Sequence, residues 1–336
     1  MNNVEFDREN TIFYLKKKEE NIPFQYIPDC KNIWNNLSDD AFYIELLNNP
    51  YLNRESDVFD IKFDKSDSRG GFLFPITLLE SEETQNKQLL SYMFVAYKVL
   101  LKNMEGEPTG VLSDNYKDAF ILAVHKETVP SFYIEEYLIS LASYGFYKYQ
   151  GENKNHFPIL RPFNKQTKVI HLEKSEVDNF KCDYVQDLLK FRLCTTSDFI
   201  TRFVLVYQVV ELYISGIHQK SLDDNIEKYK KRELNRNDFS EKLKEISRES
   251  YQIKELMKDF HEENVCLDYK RAVMGLFNDI SYQPKNETIS TLIYTLRNQL
   301  FHSYGMFAGH EDALNYVIFY FERVILMLLR KKMIII

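Results

Sequence analysis

Glycine, proline and tryptophan are scarce in this chain. Its 336 residues include 10 glycines, 9 prolines and a single tryptophan. This composition excludes collagen-like repeats and loop-dominated architectures, which need many glycines and prolines. The length exceeds that of one typical domain, so we expect two domains. The 23 tyrosines and 25 phenylalanines predict cores built from large rings.

Paired cysteines and histidine clusters are also missing. The four cysteines, Cys30, Cys182, Cys194 and Cys266, contain no C-x-x-C pair. This spacing is not that of a disulfide framework, and it favours a reduced, cytoplasmic location. The polar, acidic N-terminus does not resemble a signal peptide. The spacings of His125, His156 and His171 match no metal site, so we expect neither a metal nor a cofactor.

No apolar run is long enough to span a bilayer without interruption. The most apolar stretch is 314–336, and Glu322 and Arg323 interrupt it. We interpret it as a buried terminal helix, and a membrane anchor is the alternative. The net charge of −7 argues against a protein that coats nucleic acid, although a local cationic pocket remains compatible with it.

Residues 1–185 predict a mixed α/β domain of unknown role, and a sensor or regulatory module is one interpretation. Apolar spacing predicts helices over 6–21, 39–49, 86–104 and 130–145. Alternating side chains predict a hairpin over 58–79 with a turn at Arg69-Gly70-Gly71, and a second, hairpin-like segment over 157–174. The segment 117–128 fits either a helix or a strand.

Residues 186–336 predict an all-α helical bundle. An apolar helix should begin at a Thr196 or Ser197 cap and end near Gly216, and the last helix should run from about His310 to Arg330. Between them lies a highly charged segment, 223–264, which we expect to be an exposed helical excursion. Its clustered cations form either a solvated face or an RNA contact; they are Lys228, Lys230, Lys231, Arg232 and Arg236.

The stretch 291–304, TLIYTLRNQLFHSY, carries the chemistry, and Asn286 and Thr288 are the residues expected to open its helix. In a helix, Asn298 and His302 lie on one face, and Arg297 lies about 140° from His302. Histidine takes and gives protons near neutral pH, and arginine binds phosphate while staying charged. Together they meet the needs of RNA cleavage without a metal. One helix offers one such pair, so a second copy would supply the missing acid or base.

These residues resemble the Arg-polar-x-x-x-His motif of HEPN domains (higher eukaryotes and prokaryotes nucleotide-binding), in particular those of bacterial toxin and phage-defence proteins. The likeness covers about residues 190–335. It implies a helical bundle that forms a homodimer, with Arg297 and His302 lining a cleft at the interface. It implies a metal-independent endoribonuclease that cleaves tRNA or other RNA, with an antitoxin or a phage-derived trigger as possible partners. Many members carry a polar residue at the position of Glu211.

Other interpretations stay open at this point. His302 fits a capping imidazole, Arg297 fits a surface ion pair, and Glu211 fits either the site or a buried bridge to Arg297. Tyr304 either reaches the cleft or packs. The segment 223–262 is longer than a minimal HEPN domain needs. A non-catalytic HEPN module that binds a nucleotide or a partner is one alternative function. A DNA-binding regulator that uses a helix and hairpin over 131–172 is another.

Overall fold

A computed structural model describes residues 4–7, 12–16, 21–25, 41–49, 57–64, 66–80, 87–103, 116–151 and 168–334. The chain divides into two compact units. One comprises Met1–Lys174 with Leu189–Thr195, and the other comprises Ser175–Leu188 with Thr196–Ile336. The predicted boundary at 185 lies within the stretch where the chain passes between these units.

The described part of the first unit is built mainly from strands. Three form one antiparallel sheet: β1 (Val4–Asp7), β2 (Ile12–Lys16) and β3 (Asn21–Gln25). The other six are β4 (Phe42–Asn48), β5 (Phe59–Phe63), β6 (Arg69–Pro75), β7 (Ala119–His125), β8 (Tyr147–Lys148) and β9 (Val169–Leu172). They form a curled sheet in the order β8-β4-β7-β6-β5-β9, in which only β9 is parallel to its neighbour. Its helices include α1 (Lys87–Lys102) and the short α2 (Leu138–Ser143).

The core of the first unit lies between the six-stranded sheet and α1. Buried side chains of β6 and β7 pack with those of α1, among them Phe72, Ile121 and Met93. The strands β6 and β7 approach closely at Gly71, where an added Cβ would lie 2.3 Å from the Ala123 carbonyl oxygen. A side chain at this position is therefore excluded by the neighbouring backbone.

Two of the predicted N-terminal helices are wrong. The segment 6–21 contains β2 and parts of β1 and β3, and the segment 39–49 contains β4. Both are short and rich in aromatic and β-branched side chains, which favour strands, and sheet pairing overrides the helix-like spacing of their apolar residues. The strand alternative for 117–128 is correct, because β7 lies there.

The predicted hairpin over 58–79 is confirmed as the pair β5 and β6. The predicted turn at Arg69-Gly70-Gly71 is wrong, because all three residues belong to β6. The connection lies between Phe63 and Arg69, and Asp64 adopts the left-handed backbone conformation at its start. The helix expected over 130–145 is reduced to a 3₁₀ turn, Ile134–Glu136, followed by α2.

The hairpin-like segment 157–174 is described only from residue 168 onwards. Its strand β9 pairs in parallel with β5, so it belongs to the main sheet. Of the helix-and-hairpin unit expected over 131–172 for DNA binding, the helix is reduced to the 3₁₀ turn and α2. The first arm of that segment lies outside the described residues, as do His156 and Cys30.

The second unit is helical throughout its described residues, as the sequence predicts. Its helices are α3 (Asp183–Asp187), α4 (Phe199–Lys230), α5 (Arg236–Ile246), α6 (Glu249–Met257), α7 (Asn264–Asp279), α8 (Ile289–His302) and α9 (Glu311–Lys331). The charged segment contributes the end of α4 and all of α5 and α6. The α+β and helical halves are thus confirmed at the level of fold class.

The first long helix differs from the prediction at both ends. Its cap is Asp198, which accepts a hydrogen bond from the Thr201 amide at 2.6 Å, and not Thr196 or Ser197. The helix also passes through Gly216, which is buried inside it. One glycine inside a helix costs about 1 kcal/mol, which the packing of such a long helix offsets.

A buried ion pair joins the first and last long helices of this unit. Arg202 of α4 donates to Glu322 of α9, with Nη2 2.7 Å from both carboxylate oxygens. The terminal run is confirmed as a mostly buried helix, α9. Among the described helices, only α4 is long and apolar enough to cross a membrane, and half of its most apolar 18-residue window is buried. Core helices of soluble proteins show the same feature.

Candidate functional site

The helix that carries the motif, α8, is defined by a cap at each end. The Thr288 side chain accepts a hydrogen bond from the Thr291 amide and itself donates to Asn286 Oδ1 at 2.9 Å. This confirms the predicted start of the helix. The helix ends at His302, and Ser303 follows as the C-cap. Its apolar side chains face the core; they are Ile289, Leu292, Ile293, Leu296 and Leu300.

Arg297 lies half-buried on the flank of α8 and is held by groups from two other helices. Its Nη1 donates to Asn298 Oδ1 at 3.0 Å, and its Nε lies 3.8 Å from Glu249 Oε1. The guanidinium carbon lies 6.0 Å from the centre of the Tyr207 ring and 5.1 Å from that of Phe301. The cation is thus oriented by a carboxylate and by two aromatic rings.

Tyr207 and Glu249 bond to each other beside this guanidinium. The Tyr207 hydroxyl donates to Glu249 Oε1 at 2.6 Å. Burial, followed by the hydrogen bond to Glu249 and its charge, raises the pKa of Tyr207 far above its usual value. The hydroxyl therefore keeps its proton, and so remains a donor, throughout the physiological range.

His302 is exposed in the last turn of α8, one turn beyond Asn298. Its imidazole makes no hydrogen bond or ion pair with Arg297 or with any other residue in the part of the chain that the structure describes. Its neighbours Phe301 and Tyr304 are each 52% exposed. The imidazole and two aromatic rings thus face solvent at the same end of the helix that presents Arg297.

Glu211 and Tyr304 are both exposed, which does not fit a packing role. Glu211 is exposed on α4, and the carboxylate that pairs with Arg297 is that of Glu249. The interpretation of Glu211 as a buried ion-pair partner of Arg297 is therefore wrong. Glu211 still lies near enough for its charge to contribute to the raised pKa of Tyr207. Tyr304 begins a 3₁₀ turn and keeps half of its surface in water.

The basic cluster lies far from Arg297 along the bundle. All five of its members are exposed, at the end of α4 and the start of α5; they are Lys228, Lys230, Lys231, Arg232 and Arg236. Lys231 pairs with Glu227 at 2.7 Å, as expected of a solvated helix face. Tyr207 is the residue of α4 that lies beside Arg297. With a helical rise of about 1.5 Å per residue, Lys228 lies about 30 Å further along the same helix. One short substrate segment could not contact both places.

The residues that the motif analysis missed depend on tertiary contacts. Glu249 lies in the charged segment, among many similar residues, and only the packing of α6 against α4 and α8 brings it to Arg297. Arg202 and Glu322 did carry a signal, because each is a charged residue within an apolar run. Within the described residues, no three His, Cys, Asp or Glu side chains are grouped as metal ligands.

Comparison with known proteins yields no relative. No protein-family model, curated protein or solved structure matches this chain.

Proposed function

We propose that the chain is a metal-independent endoribonuclease of HEPN type, the effector of a bacterial toxin or anti-phage abortive-infection system. The main support for this proposal is the way in which the Arg297 side chain is held. Its guanidinium is oriented by Glu249 and Asn298, yet only one of its five donors makes a hydrogen bond to a residue that the structure describes. A guanidinium that is held in place and keeps unused donors can bind a phosphate group.

The exposed imidazole of His302 supplies the proton transfer. In the proposed reaction the 2′-hydroxyl of a ribose attacks the adjacent phosphorus, and the bond from phosphorus to the 5′-oxygen breaks. A base takes the 2′-hydroxyl proton, an acid protonates the departing 5′-oxygen, and Arg297 stabilises the charge on the phosphorane. The products carry a 2′,3′-cyclic phosphate and a 5′-hydroxyl. Because the α8 helix offers one imidazole, a homodimer would supply the second.

The proposal includes the setting of the reaction. RNA, with tRNA as the first candidate, is the substrate, and the site of action is the cytoplasm. The exposed basic cluster on α4 and α5 would contact RNA only as a distant, secondary surface. An antitoxin or a phage-derived trigger would control the activity.

Expression in a bacterial host tests this proposal. The wild type should arrest growth and create new RNA ends, and Arg297→Ala and His302→Ala should do neither. Matched controls are Arg271→Ala and His261→Ala, which remove an exposed arginine and an exposed histidine from other parts of the same unit. Retained RNA cleavage in both motif variants would contradict the proposal, as would equal loss in the controls.

The second candidate is a HEPN module without catalysis, which binds a nucleotide or a partner protein. The exposure of Phe301 and Tyr304 favours it, because half-exposed aromatic rings beside a cation also suit a binding surface. It predicts a stable complex and no RNA cleavage under any condition.

A further inference from the structure

Three helices meet at the Arg297 side chain, and each contributes one polar group. Tyr207 comes from α4, Glu249 is the first residue of α6, and Arg297 comes from α8. The α6 helix belongs to the charged segment that exceeds a minimal helical domain. This segment is therefore a structural part of the candidate site as well as a solvated surface.

The carboxylate of Glu249 attracts Arg297 without hydrogen bonding to it. The distance of 3.8 Å from Oε1 to Nε suits an ion pair but is too long for a hydrogen bond. The Arg297 Nε is buried and finds no hydrogen-bond acceptor among the described residues. The same Oε1 atom accepts the 2.6 Å hydrogen bond from Tyr207. The tyrosine therefore holds the carboxylate in a position from which it cannot saturate the guanidinium.

We propose that Tyr207 and Glu249 are positioning residues for the phosphate-binding Arg297. Glu249 fixes the direction of the guanidinium by charge, and Tyr207 restrains Glu249 so that it does not compete with the substrate phosphate. An unrestrained glutamate would form the two-pronged pair that arginine favours with carboxylates, and this pair would block phosphate binding. The inference rests on the proposed function of Arg297.

Two single substitutions should shift RNA binding in opposite directions. Glu249→Gln removes a negative charge beside Arg297, so binding of a polyanion should tighten by about threefold. Tyr207→Phe keeps the ring and releases the carboxylate, so binding should weaken. The double variant should bind like Glu249→Gln, because no carboxylate remains to compete. Both single variants should lower kcat by about tenfold to hundredfold, since the guanidinium is no longer held in place.

The binding probe is a short single-stranded 2′-O-methyl RNA, which cannot be cleaved, measured by fluorescence anisotropy with the full-length chain. Glu255→Gln is the matched control, because it removes a carboxylate from the same helix, where it pairs with Lys258 at the surface. This control should bind and cleave like the wild type. A purely structural role for Glu249 would lower the thermal midpoint and leave the affinity of the remaining folded protein unchanged.

A second measurement separates this inference from the nuclease proposal. The Arg297 Nε–H proton should give a resolved signal in a ¹H–¹⁵N spectrum, assigned by its loss in Arg297→Lys. This signal should move in both Glu249→Gln and Tyr207→Phe, and stay in place in Glu255→Gln. A wild type that cleaves no RNA overturns the nuclease proposal alone. An Arg297 signal and an RNA affinity that stay unchanged in both positioning variants overturn the positioning role.

Discussion

The buried pair of Arg202 and Glu322 should be the most sensitive point of the helical unit. Arg202 is 0% exposed and Glu322 is 4% exposed. The guanidinium donates through Nε at 3.1 Å and through Nη2 at 2.7 Å, and its Nη1 donates to the Thr196 carbonyl at 3.1 Å. Replacing one partner alone takes the nearest opposite charge away from the other, which stays buried.

We expect Glu322→Gln and Arg202→Met each to lower the free energy of unfolding by about 3–5 kcal/mol. This is a large part of the total stability of about 5–15 kcal/mol that is typical of a folded protein. The double variant Arg202→Met/Glu322→Leu removes both charges together. It should recover most of the loss, because neither charge of the pair remains buried alone; the lost hydrogen bond to the Thr196 carbonyl still costs about 1 kcal/mol.

Urea unfolding followed by circular dichroism at 222 nm measures these differences, because the helices of this unit dominate that signal. Arg271→Met is the control, since it breaks an ion pair with Asp268 whose arginine is exposed, and it should leave the midpoint unchanged. The reasoning is refuted if either single variant unfolds at the wild-type urea concentration. It is also refuted if the double variant is as unstable as the single ones.

Three further predictions concern packing, thiols and RNA contact. Gly71→Ala should destabilise the first unit, because its Cβ meets the Ala123 carbonyl. Gly275→Ala, in open space on a helix, should stabilise the protein by about 0.5–1 kcal/mol, and thermal unfolding compares the two. After the substitution Cys30→Ser, the native protein should not react rapidly with a thiol reagent at pH 8. The other cysteines are buried, and burial raises the pKa of Cys266 to about 12. Rapid labelling would contradict this prediction. Phe301→Ala should weaken binding of single-stranded RNA by about fivefold or more if the exposed ring stacks on a base, and unchanged anisotropy would exclude that contact.

Local signals predicted the helical half well. Thr288 before an apolar repeat predicted the start of α8, and His310 preceded the start of the last helix. These features depend on neighbouring residues only. The α4 helix, by contrast, continues through Gly216 because its surroundings bury that residue. No local sequence pattern indicates such packing.

The sheet shows the limits of the same reasoning. The seven residues of β4 have apolar side chains that fit a helix as well as a strand, and pairing with β7 and β8 decides between them. Those partners are distant in sequence. The candidate site was also predicted only in part. Arg297 and His302 share one helix and stand out in the sequence, whereas Glu249 is recognised as a neighbour of Arg297 only from the packing of α6 beside that helix.

The most direct test of the central claim is cleavage of single-stranded RNA by purified protein in the presence of a chelator. The account predicts fragments with a 2′,3′-cyclic phosphate and a 5′-hydroxyl from the wild type, and none from Arg297→Lys or His302→Gln at equal folded concentration. Fragments of the same kind from either variant, or a wild type whose cleavage stops when divalent ions are removed, would contradict it.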